Sequence, residues 1–292
     1  MARVALYIKT FLRNPCLFEV VDSIGRYGRD LDYRIYVTDD GEIDEERAGL
    51  YERLERDGHC VIRLPFDLGA SAGRNAGLEY IEEPYVLRMD DDFVFTSWTR
   101  VERMIAVLED CPEIGAVADL ESQRYEGKGV EPGQISFGQG ALAQYWTTLW
   151  KIPFDLRRLA WETAGEVRFA RCQFARNFLL IRRRLLDEIR WDPRLKIRGE
   201  HVDFMLQIVR KSQWDLAFTP DSVHEHAGPA PARQPGLYQE YRYRDEGYQE
   251  VLAEKWGFRR IMVDRVGGSS RLRRWWRSAR AGLDQGRDVS DG

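Results

Sequence analysis

The most constraining feature of this sequence is an alternation, over its first third, between short apolar runs and stretches of helical spacing. VALYI (4–8), YRIYV (33–37), CVIRL (60–64) and PYVLRM (84–89) read as strands. Segments at roughly 15–27, 44–57, 73–82 and 99–110 read as helices between and after them. Such alternation predicts an α/β fold, a mainly parallel sheet flanked by helices and wound right-handed. In sheets of this kind, ligands bind at the carboxyl ends of the strands. The residues just after each apolar run are therefore where chemistry is expected.

The length suffices for one large domain or two modest ones. The 292 residues carry a net charge of −4 and are 43% apolar, which excludes a chain too polar to bury a core. No apolar run approaches the roughly 20 residues of a membrane-spanning helix. The opening MARVALYIKTFLRN lacks the layout of a secretory leader. Cys16, Cys60, Cys111 and Cys172 form no CxxC pair, which argues against a zinc knuckle or redox dithiol. Structural thiols in a reduced, cytoplasmic setting are expected. Tyr145, Trp146, Trp150 and Trp161 lie in an irregular middle segment, where they either pack a core or wall an acceptor site. A strand running into a helix is expected at 178–189, and a helix at 203–211. Pro229, Pro231 and Pro235 then suggest that the catalytic domain ends near 228. This gives a domain at 1–228 and a helical extension at 229–292, with helix near 236–257 and a disordered tail.

Four motifs carry chemistry. In PYVLRMDDDFVF, an apolar strand runs directly into Asp90, Asp91 and Asp92 and then resumes. Three adjacent carboxylates repel one another unless a cation or donor network compensates, and oxygen ligands of this type suit Mg²⁺ or Mn²⁺. In YVTDDGEIDEE, Asp39 and Asp40 follow a strand and could accept from a base N–H or a ribose hydroxyl, or cap the next helix. In LGASAGRNAGL, small residues lead into a helix bearing Arg74, suited to a diphosphate. It matches neither a Walker loop nor a dinucleotide fingerprint. Finally, Glu200, His201 and Asp203 surround a helix start, and His224 and His226 lie on one side of a late strand. A histidine of that pair is a candidate metal ligand, and a carboxylate of the first group a candidate general base or a helix cap.

The order strand–DD–G, SAGRN, strand–DDD, E-H-x-D-F and a late histidine resembles nucleotide-sugar glycosyltransferases of the GT-A fold, of the family-2 kind. The stretches 64–108 and NFLLIRRRLLDEIRWDPRLKIRGEHVDFMLQ are most similar to the β-1,4-N-acetylgalactosaminyltransferases that build gangliosides. The resemblance implies a Rossmann-like GT-A sheet and a metal-dependent, inverting transfer. An N-acetylhexosamine or hexose would pass from a UDP-sugar to an acceptor hydroxyl of a glycan or glycoconjugate. It implies that Asp40, with Asp39, contacts the uracil, that Thr10 lines that pocket and that Arg74 sits near the diphosphate. Asp90 to Asp92 then occupy the DxD place, with Asp90 toward the ribose or sugar and Asp92 on Mn²⁺ or Mg²⁺. His226, with His224 as the fallback, completes the metal shell. Many relatives have Glu-Asp where this chain has Glu200-His201, so Glu200, His201 and Asp203 all remain candidate bases, with Asp203 slightly favoured. The alternatives are a sugar nucleotidyltransferase and an inactive binding module on the same fold. The late SRLRRWWRSAR (270–280) suggests either a basic helix packed on the domain by its two Trp or a peripheral contact with the inner face of a membrane, both ahead of nucleic acid.

Overall fold

A computed structural model describes residues 3–124, 135–136, 138–228, 236–244 and 247–263. The sheet begins as the alternation predicts. Strands β1 (Val4–Thr10), β2 (Tyr33–Asp39), β3 (Cys60–Arg63) and β4 (Tyr85–Asp90) are separated by helices α1 (Asn14–Tyr27), α2 (Glu45–Arg56) and α3 (Ala70–Leu78). A short β5 (Phe93–Val94), helix α4 (Val101–Asp110) and strands β6 (Ile114–Gln123) and β7 (Ile135–Ser136) follow. The hairpin β8 (Gly140–Tyr145) and β9 (Thr148–Pro153) precedes β10 (Glu162–Ala164), β11 (Val167–Cys172) and β12 (Leu179–Arg182). The described residues close with α5 (Arg183–Glu188), α6 (Glu200–Lys211), β13 (Asp215–His226), α7 (Gly236–Tyr243), α8 (Tyr248–Trp256) and β14 (Arg260–Val263).

The main sheet runs in the order β10-β11-β13-β6-β12-β4-β1-β2-β3, with β5 on β13 and β7 on β6. β1 to β4 are mutually parallel and β13 is parallel to β6, whereas β12 runs antiparallel between β4 and β6. Every residue of β1 is buried, as a central strand covered on both faces requires. The period of two along it divides the core. Val4, Leu6 and Ile8 pack with α1, α2 and α4, while Ala5 and Tyr7 pack with α3, α5 and α6. Local signals start the helices: Pro15 lies in the first turn of α1, and Asp44 caps α2 by accepting from the Arg47 amide at 2.8 Å.

Two differences from the sequence-based expectations matter to the site. Helix α3 starts three residues before the expected 73, because Gly69 precedes it at φ +95°, with Lys196 packed where a side chain would stand. The helix expected at 236–257 is two, since Gly247 at φ +64° restarts the chain as α8. α8 packs with α6 and β9 in a separate cluster of Leu149, Leu195, Val202, Leu206, Leu252 and Phe258. β14 pairs with β9 and completes a second, three-stranded sheet. All four cysteines are free thiols. Among the described residues, no helix is long and apolar enough to cross a membrane. The prolines at 229–235, the Arg/Trp segment 270–280 and the polar tail lie outside the described residues.

Candidate active site

Parallel register brings three motifs to one edge. Thr10 lies beside Asp39 and Lys9 beside Asp90, so the carboxyl ends of β1, β2 and β4 align. The loops that leave them carry the acids. Asp40 accepts from Lys9 Nζ at 2.5 Å and from the Gly69 amide at 2.7 Å. Asp39 accepts from Arg47 Nη1 at 2.8 Å, from the Tyr51 hydroxyl and from the Gly41 amide. Both carboxylates are buried and engaged on both oxygens, so a nucleobase N–H would add to this hydrogen bonding rather than begin it.

The three adjacent aspartates are neutralised by Arg74 and by two arginines not singled out from the sequence, Arg13 and Arg88. Arg13 donates from Nη1 to Asp92 at 2.8 Å and from Nη2 to Asp91, whose other oxygen accepts from Thr10 Oγ1 at 2.7 Å. Asp90 accepts from Arg74 at 2.8 Å, from Arg88 at 3.0 Å and from Asn177 at 3.3 Å. These partners resolve the mutual repulsion unequally. Burial would raise all three acids. The guanidiniums of Arg88 and Arg74 outweigh it for Asp90, and Arg13 with His226 outweigh it for Asp92, so both sit below the usual range. Asp91 stays raised, because burial and Asp92 prevail over Arg13. Burial and the repulsion of Arg74 together lower Arg88 to about 10.

The two late histidines diverge in role. His226 Nε2 stands 3.5 Å from Asp92 Oδ2, an approach set by the pairing of β13 with β5 that puts His226 opposite Phe93. Burial works against its charge, but Asp92 outweighs burial and raises its pKa. His224 is fully buried, stacked on Phe178 at 4.5 Å and paired through Nδ1 with Asp119 Oδ1 at 2.7 Å. Glu121 lies 3.8 Å from a nitrogen of each ring. The Gln123 amide donates to Glu121 and lies 3.4 Å from His226 Nδ1. His224 therefore belongs to the buried support of His226 and does not itself approach Asp92.

The first turn of α6 divides in the same way. Glu200 Oε1 accepts from Arg74 Nη1 at 3.3 Å, so one guanidinium joins Asp90 to Glu200. Its Oε2 has no hydrogen-bond partner among the described residues, and His201 Nδ1 stands 3.6 Å from it. Burial would raise the Glu200 carboxyl, but His201 and then Arg74 and Arg88 hold it far below the usual range. Asp203, one turn on, accepts from Trp256 Nε1 at 2.7 Å, from Lys255 Nζ at 2.9 Å and from Gln207 at 2.8 Å, and is fully buried. Asp203 is thus committed to anchoring α8, whereas Glu200 faces Arg74 and His201.

Arg13, Asn177, Asp119 and Glu121 belong to none of the sequence motifs, and Arg88 stands inside the triple-aspartate motif without being read as part of the site. Two of them had a signal there: Arg13 follows the end of β1 by three residues, and Arg88 shares a strand face with Asp90. As for a metal, no three carboxylate, imidazole or thiolate groups form a ready cage among the described residues. Asp92 and His226 supply one hard oxygen and one imidazole nitrogen side by side. That set fits a divalent ion such as Mn²⁺ or Mg²⁺, which commonly completes its shell with phosphate oxygens and water.

The large mixed sheet with helices on both faces is the GT-A fold. Two solved structures share the fold. GalNAc-T7 with UDP, GalNAc and Mn²⁺ superposes with a TM-score of 0.60 at 18% identity, over 87% of this chain and 50% of its own. The mannosyltransferase PcManGT from Pyrobaculum calidifontis, in complex with GDP-Man and Mn²⁺, gives 0.53 at 15% identity over 86% and 62%. The chain belongs to glycosyl transferase family 2, whose family model matches residues 6–184. It is 31% identical over 266 residues to beta-1,4 N-acetylgalactosaminyltransferase 1 of Rattus norvegicus. That match takes in 87% of this chain and 45% of the relative, so the chain spans less than half of that protein's length.

Proposed function

We propose that the protein is a metal-dependent, inverting glycosyltransferase that moves a sugar from a UDP-sugar to an acceptor hydroxyl of a glycan or glycoconjugate. An N-acetylhexosamine is favoured over a hexose by the likeness to the N-acetylgalactosaminyltransferase. The observation that carries the reading is Arg74, which links a donor-side acid, Asp90, to an acceptor-side acid, Glu200. The second Glu200 oxygen accepts no hydrogen bond among the described residues and lies 3.6 Å from His201 Nδ1.

Glu200 is the base in this reading. Its depressed pKa keeps it ionised throughout the neutral range. The acceptor hydroxyl gives its proton to Glu200 Oε2 as its oxygen attacks the anomeric carbon. The bond from that carbon to the diphosphate oxygen breaks on the opposite face, which inverts the centre. Arg74 is the cation placed to meet the departing diphosphate. Asp92 and His226 would hold the divalent ion, with Asp90 toward the sugar or ribose. Bound there, the ion offsets charge that develops on the leaving group. Asp39, Asp40 and Thr10 line the nucleoside side in this reading.

Release of UDP from a panel of UDP-sugars, in Mn²⁺, in Mg²⁺ and in EDTA, tests it. Slow hydrolysis of one donor, abolished by EDTA, is expected and names the sugar. If no donor turns over, calorimetry with UDP and Mn²⁺ separates a missing acceptor from a wrong reading. Failure to bind UDP sinks the proposal.

A further inference from the structure

The β8–β9 turn forms a surface that the transfer chemistry does not use. Tyr145 and Trp146 stand at its tip, 60% and 82% exposed, with rings 6.2 Å apart. Trp146 has φ +54°, in a two-residue hairpin loop where a positive φ favours glycine. It thus contributes neither burial nor relaxed backbone to the fold.

The turn is tied to a set of cations. The Thr147 carbonyl accepts from the amides of Arg259 and Arg260 at 2.7 and 3.1 Å. Gln144 accepts from Arg210 at 2.8 Å and donates to the Trp256 carbonyl at 3.2 Å, and Lys211 lies 4.6 Å from the Trp256 ring. Arg210, Lys211, Arg259 and Arg260 are all exposed, and among the described residues none of them pairs with a carboxylate. Met262 and Val263, 45% and 49% exposed, extend the patch along the edge strand β14. From Val263 the sequence runs on, seven residues later, to SRLRRWWRSAR (270–280), of the same basic and aromatic character.

We propose that this tip docks on an anionic membrane surface. Tyr145 and Trp146 seat at the level of the lipid headgroups and the four cations face lipid phosphates and carboxylates, with the exposed Met262 and Val263 behind them on β14. Exposed aliphatic side chains on β14, whose Arg260 pairs with Thr148 just behind the turn, favour a lipid boundary over nucleic acid, which would use the rings for stacking and the cations for phosphates. Glu200 and Lys211 occupy opposite ends of α6, so the patch lies roughly 17 Å along that helix from Glu200. The docking does not depend on the donor or acceptor proposed above.

Co-sedimentation of the full chain with vesicles tests it, using phosphatidylcholine alone and phosphatidylcholine mixed with phosphatidylserine. Binding only to the phosphatidylserine vesicles is expected, weakening with salt. The double variant Tyr145→Ser, Trp146→Gly and the double variant Arg210→Gln, Lys211→Gln should each weaken that binding by at least about tenfold. Thermal melting of each variant confirms that it is folded. Wild-type binding by both folded variants would overturn the proposal and assign any membrane contact to 270–280. Binding to neither vesicle overturns it as well, and capture of a single-stranded oligonucleotide in its place would identify nucleic acid as the partner.

Discussion

The carboxyl edge of the sheet and the first turn of α6 both carry clustered acids, yet different forces organise them. At the edge, Thr10, Asp39 and Asp90 are brought together by the parallel register of β1, β2 and β4. Backbone pairing does that work, and any side chain at those positions would arrive at the same place. On α6, Glu200 and Asp203 share one turn and both are buried, but Arg74 takes one and α8 takes the other. Position along a strand end is thus a good guide to location, whereas position along a helix turn leaves the partner undecided.

The sharpest test of that contrast compares two isosteric changes on α6. Glu200→Gln is expected to lower kcat by about 10²- to 10⁴-fold while the protein stays folded. Asp203→Asn should act through stability, because it leaves Lys255 beside a neutral amide in a buried setting. A loss of about 3 kcal/mol in urea unfolding is expected. If the activity loss followed Asp203 and the stability loss Glu200, the proposed division of roles would be reversed.

The histidines offer the same contrast on β13. His226→Ala should weaken Mn²⁺ binding, read by calorimetry, by at least about tenfold with only a small change in melting. His224→Ala should do the opposite, removing the partner of the fully buried Asp119 and costing about 3 kcal/mol of stability. Equal metal affinity in both variants would remove His226 from the proposed shell.

A smaller effect is expected from pH. Burial opposes charge on His224, but Asp119 and Glu121 outweigh it and raise its pKa from 6.5 to about 9. A group raised on folding stabilises fully below its unfolded pKa and loses that contribution as pH climbs through the folded value. The urea midpoint of the wild type should therefore fall between pH 6.5 and pH 9, and His224→Gln should flatten the slope. Asp119, pushed up to about 6 chiefly by burial, acts with the same sign but below that window. A wild-type midpoint that rose over this range would contradict the buried ion pair.

Much of the edge is legible in the sequence. Asp90 to Asp92 interrupt an apolar run at a strand end, and Arg74 follows a stretch of small residues at a helix start. Arg13 follows from extending the strand-end rule to β1, and Arg88 from counting alternate residues back from Asp90. Asn177 has no such signal, because it reaches Asp90 across 87 residues. The aromatic middle segment divides: Trp161 packs on Phe218 at 5.5 Å, whereas Trp146 points outward. Aromatic content alone does not distinguish a core residue from a surface one, since both bury or present the same ring.

From the order of residues alone follow the layered α/β fold, the edge where its ligands belong and the acids that stand there. Those features depend on periodicity and on strand ends, which are local properties of a chain. Folding in three dimensions set Asp203 against α8 and His224 against Asp119, and left Glu200 beside Arg74 and His226 beside Asp92. Those placements turn on partners 52 residues away for Asp203 and 105 away for His224. A carboxylate or an imidazole takes its role from the charge and the donor it meets, and such meetings exist only once distant segments have packed.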